Sequence, residues 1–223
     1  MMTEYLKLSP STLGLFKDCA RCFWLHLKHG HKRPSGIFPS LPGGMDLVIK
    51  KYFDQFRGAL PPELEGKIDA VLFEDLETLE KWRNWRKGLR VIDEKNMIEL
   101  VGSLDDCLVS NGYFIPLDYK TRGFELKENS EEFYQHQLDL YTLMLDRNGY
   151  HTKEEAYLLY YFPKELKSGT LVEFEIVPKK VKTSLENARR LIADAMKVLQ
   201  GPTPPHHLGC AFCLWQRGFE EFD

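Results

Sequence analysis

The stretch Met97-Ile98-Glu99-Leu100-Val101-Gly102-Ser103-Leu104-Asp105-Asp106-Cys107-Leu108-Val109, continued through Asn111-Gly112 to Phe114-Ile115-Pro116-Leu117-Asp118-Tyr119-Lys120-Thr121, decides the class of fold. It holds three short runs of aliphatic, aromatic and β-branched residues. Asn111-Gly112 between the last two is the pair that a two-residue hairpin turn favours. The reading is a three-strand meander over Met97–Val101, Asp106–Val109 and Phe114–Tyr119. Beyond it lie a helix from about Ser130 to Arg147, strands over Ala156–Phe162 and Leu171–Val177, and a last long helix from about Thr183 to Leu199. Pro202, Pro204 and Pro205 end that helix ahead of a short cysteine-bearing tail. Toward the N-terminus, Leu76–Trp85 and Met45–Phe56 read as helices, the latter ended by Gly58 and Pro61-Pro62. Gly30–Gly44, with Pro34, Pro39 and Pro42, reads as a loop. Ser11–Lys28 reads as the first helix, with Ser9 as its cap and Pro10 in its first turn. Helices interleaved with strand pairs of both senses specify an α/β protein with a mixed sheet.

The composition sets the outer limits. The 223 residues carry 30 Lys+Arg and 33 Asp+Glu, a formal net charge of -3, and 43% of them are hydrophobic. That is enough apolar material for one sizeable core. It also excludes a protein that coats nucleic acid by bulk positive charge, so a nucleic-acid site has to be a local basic groove. No apolar run reaches the roughly 20 residues that span a bilayer, and Met1–Lys7 lacks the apolar segment of a secretory leader. The expectation is a cytoplasmic protein without membrane contact.

Chemistry concentrates in Gly102–Asp106 and Asp118–Lys120. Facing carboxylates on adjacent strands are hard oxygen ligands for Mg²⁺ or Mn²⁺, which need carboxylate oxygens and open water positions. Asp118 and Lys120 are two apart on a strand and share a face. Lys120 is thereby placed to position or deprotonate a metal-bound water, or to stabilise the charge that develops on a phosphate. The same residues taken singly are ordinary solvated strand-end charges.

Taken together they resemble the PD-(D/E)XK nuclease superfamily, in its RecB-like and CRISPR-associated exonuclease branch. Gly102 to Asp105, Asp118 to Lys120 and Gln137 to Tyr141 match, in order and spacing, that branch's Gly-x-x-Asp, Asp-x-Lys and Gln-x-x-x-Tyr. The opening Leu8-Ser9-Pro10-Ser11-Thr12-Leu13 and Cys19-Ala20-Arg21-Cys22-Phe23-Trp24-Leu25 are similar to its first helix, and the stretch from Gly58 to Lys95 is the least covered. The resemblance implies one restriction-endonuclease-like domain over 1–223. Its parts are a mainly helical section at 1–95, a catalytic core at 96–200 with a mixed sheet flanked by helices, and a cysteine-bearing tail at 201–223. It further implies a DNA nuclease, exonuclease rather than endonuclease, with Asp105, Asp118 and Lys120 catalytic and Gln137 and Tyr141 positioning the backbone. The family spacing selects Asp105 over Asp106, with Asp106 taking the role if a bulge shifts the register. Where the branch often supplies a histidine ligand, this chain has Asp46, which is a metal ligand or a helix cap. Lys120, Arg122, Gln137 and Tyr141 are the expected nucleic-acid contacts, and Tyr119 and Tyr134 either stack on bases or pack.

Cys19-x2-Cys22 and Cys210-x2-Cys213 supply four thiolates, a full set for tetrahedral Zn²⁺ or a [4Fe-4S] cluster. Resemblance favours the iron–sulfur cluster, since RecB-like nucleases clamp their two termini with one. The two-and-two distribution, in place of that branch's one and three, keeps zinc open. Cys107 reads as a core thiol and His206-His207 as tail residues. The expected partners are a DNA substrate and proteins of repair or CRISPR systems. The alternatives are a catalytically silent nuclease fold that binds nucleic acid or a partner, stabilised by the four cysteines, and a metal-bearing interaction protein with incidental acids.

Overall fold

A computed structural model describes residues 5–34, 36 and 40–220, with side chains described through 217. Residues 1–4, 35, 37–39 (with Pro39 of the expected loop) and 221–223 lie outside that description.

The chain opens with a three-residue strand β1 (Leu6–Leu8) and then, in place of one helix over Ser11–Lys28, two helices: α1 (Pro10–Asp18) and α2 (Ala20–His29). The break falls at Cys19, whose backbone is extended at φ -163° and which closes α1 and caps α2, its Sγ accepting from the Cys22 amide at 3.4 Å. A thiol that serves as a cap cannot also sit inside a continuous helix. Gly30, at φ 69°, ends α2 in the left-handed conformation that glycine adopts without strain. The next helix, α3 (Ser40–Phe53), starts earlier than Met45 because Pro42 falls in its first turn, where no amide is needed. The expected residues Asp54–Phe56 tighten into a 3₁₀ turn.

A two-residue strand β2 (Val71–Leu72), α4 (Leu76–Arg83) and β3 (Leu89–Asp93) follow, then β4 (Ile98–Gly102), β5 (Asp106–Ser110) and β6 (Tyr113–Thr121). The Asn111-Gly112 hairpin joins β5 to β6 as expected, with φ of 50° and 78° at the two turn residues. The three-strand meander, however, does not form. Strand β4 leaves its successor and joins a separate sheet in the order β1-β4-β3. The connecting residues are drawn toward α4: Leu104 N donates to the Trp82 carbonyl at 3.1 Å, and Ser103 Oγ to the Arg83 carbonyl at 2.6 Å.

The five-stranded sheet runs β2-β5-β6-β7-β8, completed by β7 (Glu155–Ser168) and β8 (Leu171–Lys182). Strand β6 pairs antiparallel with β5 and parallel with β7, so the sheet is mixed. The parallel pair needs a crossover, supplied by α5 (Gln135–Arg147), which a 3₁₀ turn at Ser130–Tyr134 precedes. Strands β7 and β8 run further than Phe162 and Val177, and their far ends form an exposed two-stranded arm. Then come α6 (Leu185–Gln200), capped by Ser184, and α7 (Ala211–Glu220), a helix inside the expected tail.

Helix α5 is buried from Leu138 through Leu145 and packs with β4, α1 and α6 over one core that includes Leu8, Leu13, Leu100, Leu104 and Cys107. A second core joins α3, through Ile49 and Phe53, to the other face of the sheet at Leu108, Leu117, Tyr119 and Leu159. The sheet is thus covered on both faces, and its central strand β6 can bury a charge in mid-strand.

Candidate active site and cysteine centre

Alternation along β6 turns Leu117 and Tyr119 toward α3 and leaves Asp118 and Lys120 on the α5 side. Asp118 is 1% exposed. Its Oδ1 accepts from Gln137 Nε2 at 3.0 Å, and Lys120 is ion-paired with it. Gln137 is the hub: Nε2 also donates to the Tyr141 hydroxyl at 3.1 Å, and Oε1 accepts from Lys120 Nζ at 3.4 Å. Four residues separate Gln137 from Tyr141 on α5, which stacks them on one helical face. The Tyr141 hydroxyl in turn donates to the Ser103 carbonyl at 2.6 Å. Four of the expected residues therefore converge, and Gly102 makes the convergence possible. A Cβ there would lie 2.9 Å from Met144 Sδ and 3.1 Å from Tyr141 Cε1.

Asp105 and Asp106 go separate ways. Asp105, at the bend before β5, accepts from the Tyr119 amide through Oδ2 at 3.3 Å and from Lys50 Nζ through Oδ1 at 2.7 Å. Asp106 is wholly buried and accepts both Nη atoms of Arg57 at 2.7 Å, Arg83 Nη2 at 3.1 Å and the Tyr119 hydroxyl at 2.5 Å. A carboxylate so fully satisfied holds the strand to its neighbours and has nothing left to offer a ligand. Tyr119 is thereby packed, not stacking.

Lys50 and Arg83 join the site without any sequence motif to mark them. Lys50 sits one helical turn after Asp46 on α3 and donates to Asp46 Oδ2 at 2.8 Å as well as to Asp105, so it bridges the two. The Asp46-x3-Lys50 spacing was visible, but nothing local to it pointed at Asp105. Tyr134 also gains a role, its ring lying 4.4 Å beneath Lys120 Nζ. Arg122 stands outside the network, with its guanidinium over the Phe124 ring at 5.2 Å. Lys179 and Lys180 pair with Glu131 and Glu155 as solvated strand charges.

The electrostatics follow from burial. Desolvation, reinforced by the neighbouring Asp105 and opposed by Lys120, pushes the Asp118 carboxyl up to about 7. For Lys120, burial works against the charge but Asp118 outweighs it, so its ammonium is held above the usual lysine range. Lys50 is likewise raised, by Asp105 and Asp46 against the cost of burial. Asp118 Oδ2 is buried, with the Lys120 ammonium as its charged partner. Three carboxylates, each paired with Lys50 or Lys120, form a hard-oxygen environment already organised around positive charge.

The four expected thiols meet between the start of α2 and the C-terminal helix. Cys19 Sγ lies 3.5 Å from Cys213 Sγ and Cys22 Sγ 3.7 Å from Cys210 Sγ, and all four sulfurs fall within 4.8 Å of one another. Among the described residues no other His, Cys, Asp or Glu set converges so closely. All four are free thiols. Burial pushes Cys22 up to about 12, while at Cys210 the Cys213 amide and the neighbouring thiols overcome burial and bring the thiol down to about 7. Arg33 Nη2 donates to Cys210 Sγ at 3.4 Å. Arg21 reaches the Pro204 carbonyl at 2.9 Å, and His206 lies 3.2 Å from the Cys213 carbonyl, its ring outside the sulfur cluster. Cys107 is a fully buried core thiol.

A family model for the PD-(D/E)XK nuclease superfamily matches residues 45–217. The chain belongs to that superfamily. No curated protein matches it. The superfamily match takes in Asp46, Asp105, Asp118, Lys120, Gln137, Tyr141, Cys210 and Cys213, and begins after Cys19 and Cys22. Membership makes the chain a nuclease-family protein with nucleic acid as its class of substrate, and divalent metals are typical of the superfamily. None of the described helices is long and apolar enough to cross a membrane.

Proposed function

We propose that the protein is a RecB-like, metal-dependent deoxyribonuclease, acting on DNA ends in repair, recombination or CRISPR- and phage-related processing. The observation that carries the reading is Asp118: an ionisable carboxylate almost wholly buried in mid-strand, ion-paired with Lys120 and beside a second carboxylate, Asp105. A folded chain keeps such a group at a cost to its stability, and sites of catalysis are where that cost recurs.

In this reading Asp105 and Asp118, with Asp46, hold Mg²⁺ or Mn²⁺, which when bound lowers the pKa of a coordinated water and offsets phosphate charge. Lys50 shares its one positive charge between Asp46 and Asp105. Lys120, kept protonated by Asp118, acts as a cationic hydrogen-bond donor to the reacting phosphate or water and not as a proton acceptor. Gln137 holds both Asp118 and Lys120 to one orientation, and Tyr141 holds Gln137 against the Ser103 carbonyl. The 1–223 chain works as one unit in which α1–α2 and the tail brace the core.

The four thiols hold a structural metal centre. Resemblance favours [4Fe-4S]. The sulfur spacing favours zinc, because a tetrahedral ion with Zn–S of about 2.3 Å sets its sulfurs about 3.8 Å apart. Iron and acid-labile sulfide against zinc content, measured on anaerobically purified protein, separates the two.

The deciding experiment is cleavage of end-labelled single- and double-stranded DNA with Mn²⁺, with Mg²⁺ and with EDTA. Metal-dependent cutting is expected, with mononucleotides or short fragments released from ends. Asp118→Ala and Lys120→Ala should each lower it by about a hundredfold or more with the fold retained by circular dichroism. Undiminished cutting by both variants removes the site assignment. No cutting by the wild type favours the silent nuclease fold.

A further inference from the structure

The run Lys81-Trp82-Arg83-Asn84-Trp85-Arg86-Lys87-Gly88-Leu89-Arg90 holds five cations and two tryptophans and no acid. It leads from α4 into β3, and the fold divides its residues sharply. Trp82 is buried and stacked on Phe73, with centroids 5.1 Å apart and planes 10° from parallel. Arg83 turns inward to Asp54, Asp106 and the Asp105 carbonyl. Trp85, by contrast, is 72% exposed, and the Arg86 guanidinium lies over its ring at 4.8 Å.

This exposed pair stands on a pinned turn. Asn84 Oδ1 accepts from the amides of Arg86 and Lys87 at 2.9 and 3.1 Å, and the Gly88 amide donates to the Asn84 carbonyl at 2.6 Å. A Cβ at Gly88 would come within 2.3 Å of the Gly102 carbonyl oxygen, so only glycine lets the turn lie so close to β4. Arg90 is committed to Glu99 and to the Arg86 carbonyl.

The turn walls a cavity of about 520 Å³ whose other side is Gly102, Ser103 and Tyr141. Those last two residues also belong to the Asp118–Gln137–Tyr141–Ser103 hydrogen-bond chain. The cavity and the carboxylate site therefore lie on two sides of one partition. Lys7, Arg86 and Arg90 line the cavity, Lys7 and Arg90 with Glu99 as a shared partner, and among the described residues no carboxylate lines it.

We propose that this cavity is a subsite for an unpaired nucleic-acid strand, with a base stacked on Trp85 and phosphates on Arg86 and Lys7, adjoining the Asp105–Asp118 site. An exposed indole backed by a guanidinium presents a flat face to any base, and stacking of this kind is sequence-tolerant. Bases inside a duplex are already stacked and cannot reach Trp85, so the chemistry selects a single strand or a frayed end. An acidic peptide would satisfy the cations but leave the indole face without a planar partner. The subsite deepens the nuclease reading and rests on it for what becomes of the strand, though not for whether the strand binds.

The test is equilibrium binding by fluorescence anisotropy, on the full chain with Ca²⁺ in place of Mg²⁺, of a fluorescein-labelled oligothymidylate of about twelve nucleotides. Trp85→Ala should weaken binding about tenfold or more, and Trp85→Phe should restore most of it. Arg86→Ala should reduce the slope of log affinity against log salt by about 0.7, the value for one phosphate contact on a single strand. Binding of a blunt duplex should be indifferent to Trp85. The proposal is overturned if the wild type does not bind the oligonucleotide, if Trp85→Ala binds it equally well, or if an oligoglutamate competes as well as unlabelled oligothymidylate. Cleavage is not read in this experiment, so the two ideas fail separately: strand binding through Trp85 in a chain that cuts nothing removes the nuclease reading alone, and cutting with Trp85-independent binding removes the subsite alone.

Discussion

Lys50 and Asp118 show how single residues set the character of the site. Lys50 places one ammonium between Asp46 and Asp105, the region where the proposed metal would draw its ligands. Lys50→Met should therefore lower the melting temperature of the metal-free protein, because two carboxylates lose their shared partner, and should tighten Mn²⁺ binding. Isothermal titration with Mn²⁺ beside thermal melts checks both halves, and unchanged Mn²⁺ affinity would count against Asp46 and Asp105 as ligands. Asp118 makes a pH prediction. Its folded-state pKa, near 7, stands above the ordinary carboxylate value of about 4. The protonated form is thus the one the fold prefers, and the stability it contributes at low pH is lost as pH rises through 7. A divalent cation binds only the ionised form. The rise in melting temperature on adding Mn²⁺ should then be larger at pH 8 than at pH 6, and an equal rise at both would show that Asp118 is not linked to the metal.

At the scale of elements, function depends on how closely α5 can approach β4. The approach is set by Gly102, where a methyl group would press on Met144 and Tyr141. Gly102→Ala should cost about 1–3 kcal/mol by urea denaturation and lower cleavage by displacing Tyr141 and, through it, Gln137. Wild-type stability in this variant would mean that Met144 gives way freely. The elements also explain what could be read in advance. Helix α5 and the β5–β6 hairpin carry strong local signals, a long helical period and an Asn-Gly turn, and both form as expected except that Ser130–Tyr134 is a 3₁₀ turn ahead of the α-helix. Strand β1 has three residues and β2 two, too few for a periodic pattern, and each exists because a partner strand is there to accept it. Strand β4 has strand character, but no local feature says whether it pairs with β5 or with β1 and β3. The single helix expected over Ser11–Lys28 fails for a similar reason: its apolar spacing is helical throughout, and only the thiols arriving from the other end of the chain give Cys19 a reason to break it.

Across the whole molecule, the cysteine centre joins α1–α2 to the tail over almost the full length of the chain. Cys210→Ser should abolish metal binding at the proposed thiol centre and lower the melting temperature, since closing so long a loop restricts the unfolded chain strongly. Metal content and melting temperature both equal to wild type would show the thiols to be bystanders. The sequence by itself determined the residue types and their order: Asp105, Asp118, Lys120, Gln137 and Tyr141 at spacings that place them on strands and a helix face, and four cysteines paired by two-residue gaps. Those are matters of covalent spacing and backbone periodicity, which act locally. The tertiary structure alone decided which of two adjacent aspartates is held by arginines and which stands beside Asp118, that Lys50 bridges two carboxylates 59 positions apart, and that Trp85 and Arg86 wall a cavity backed by Tyr141. Each of these depends on burial and on contacts between distant segments, and a side chain acquires neither until the sheet and its covering helices have closed around it.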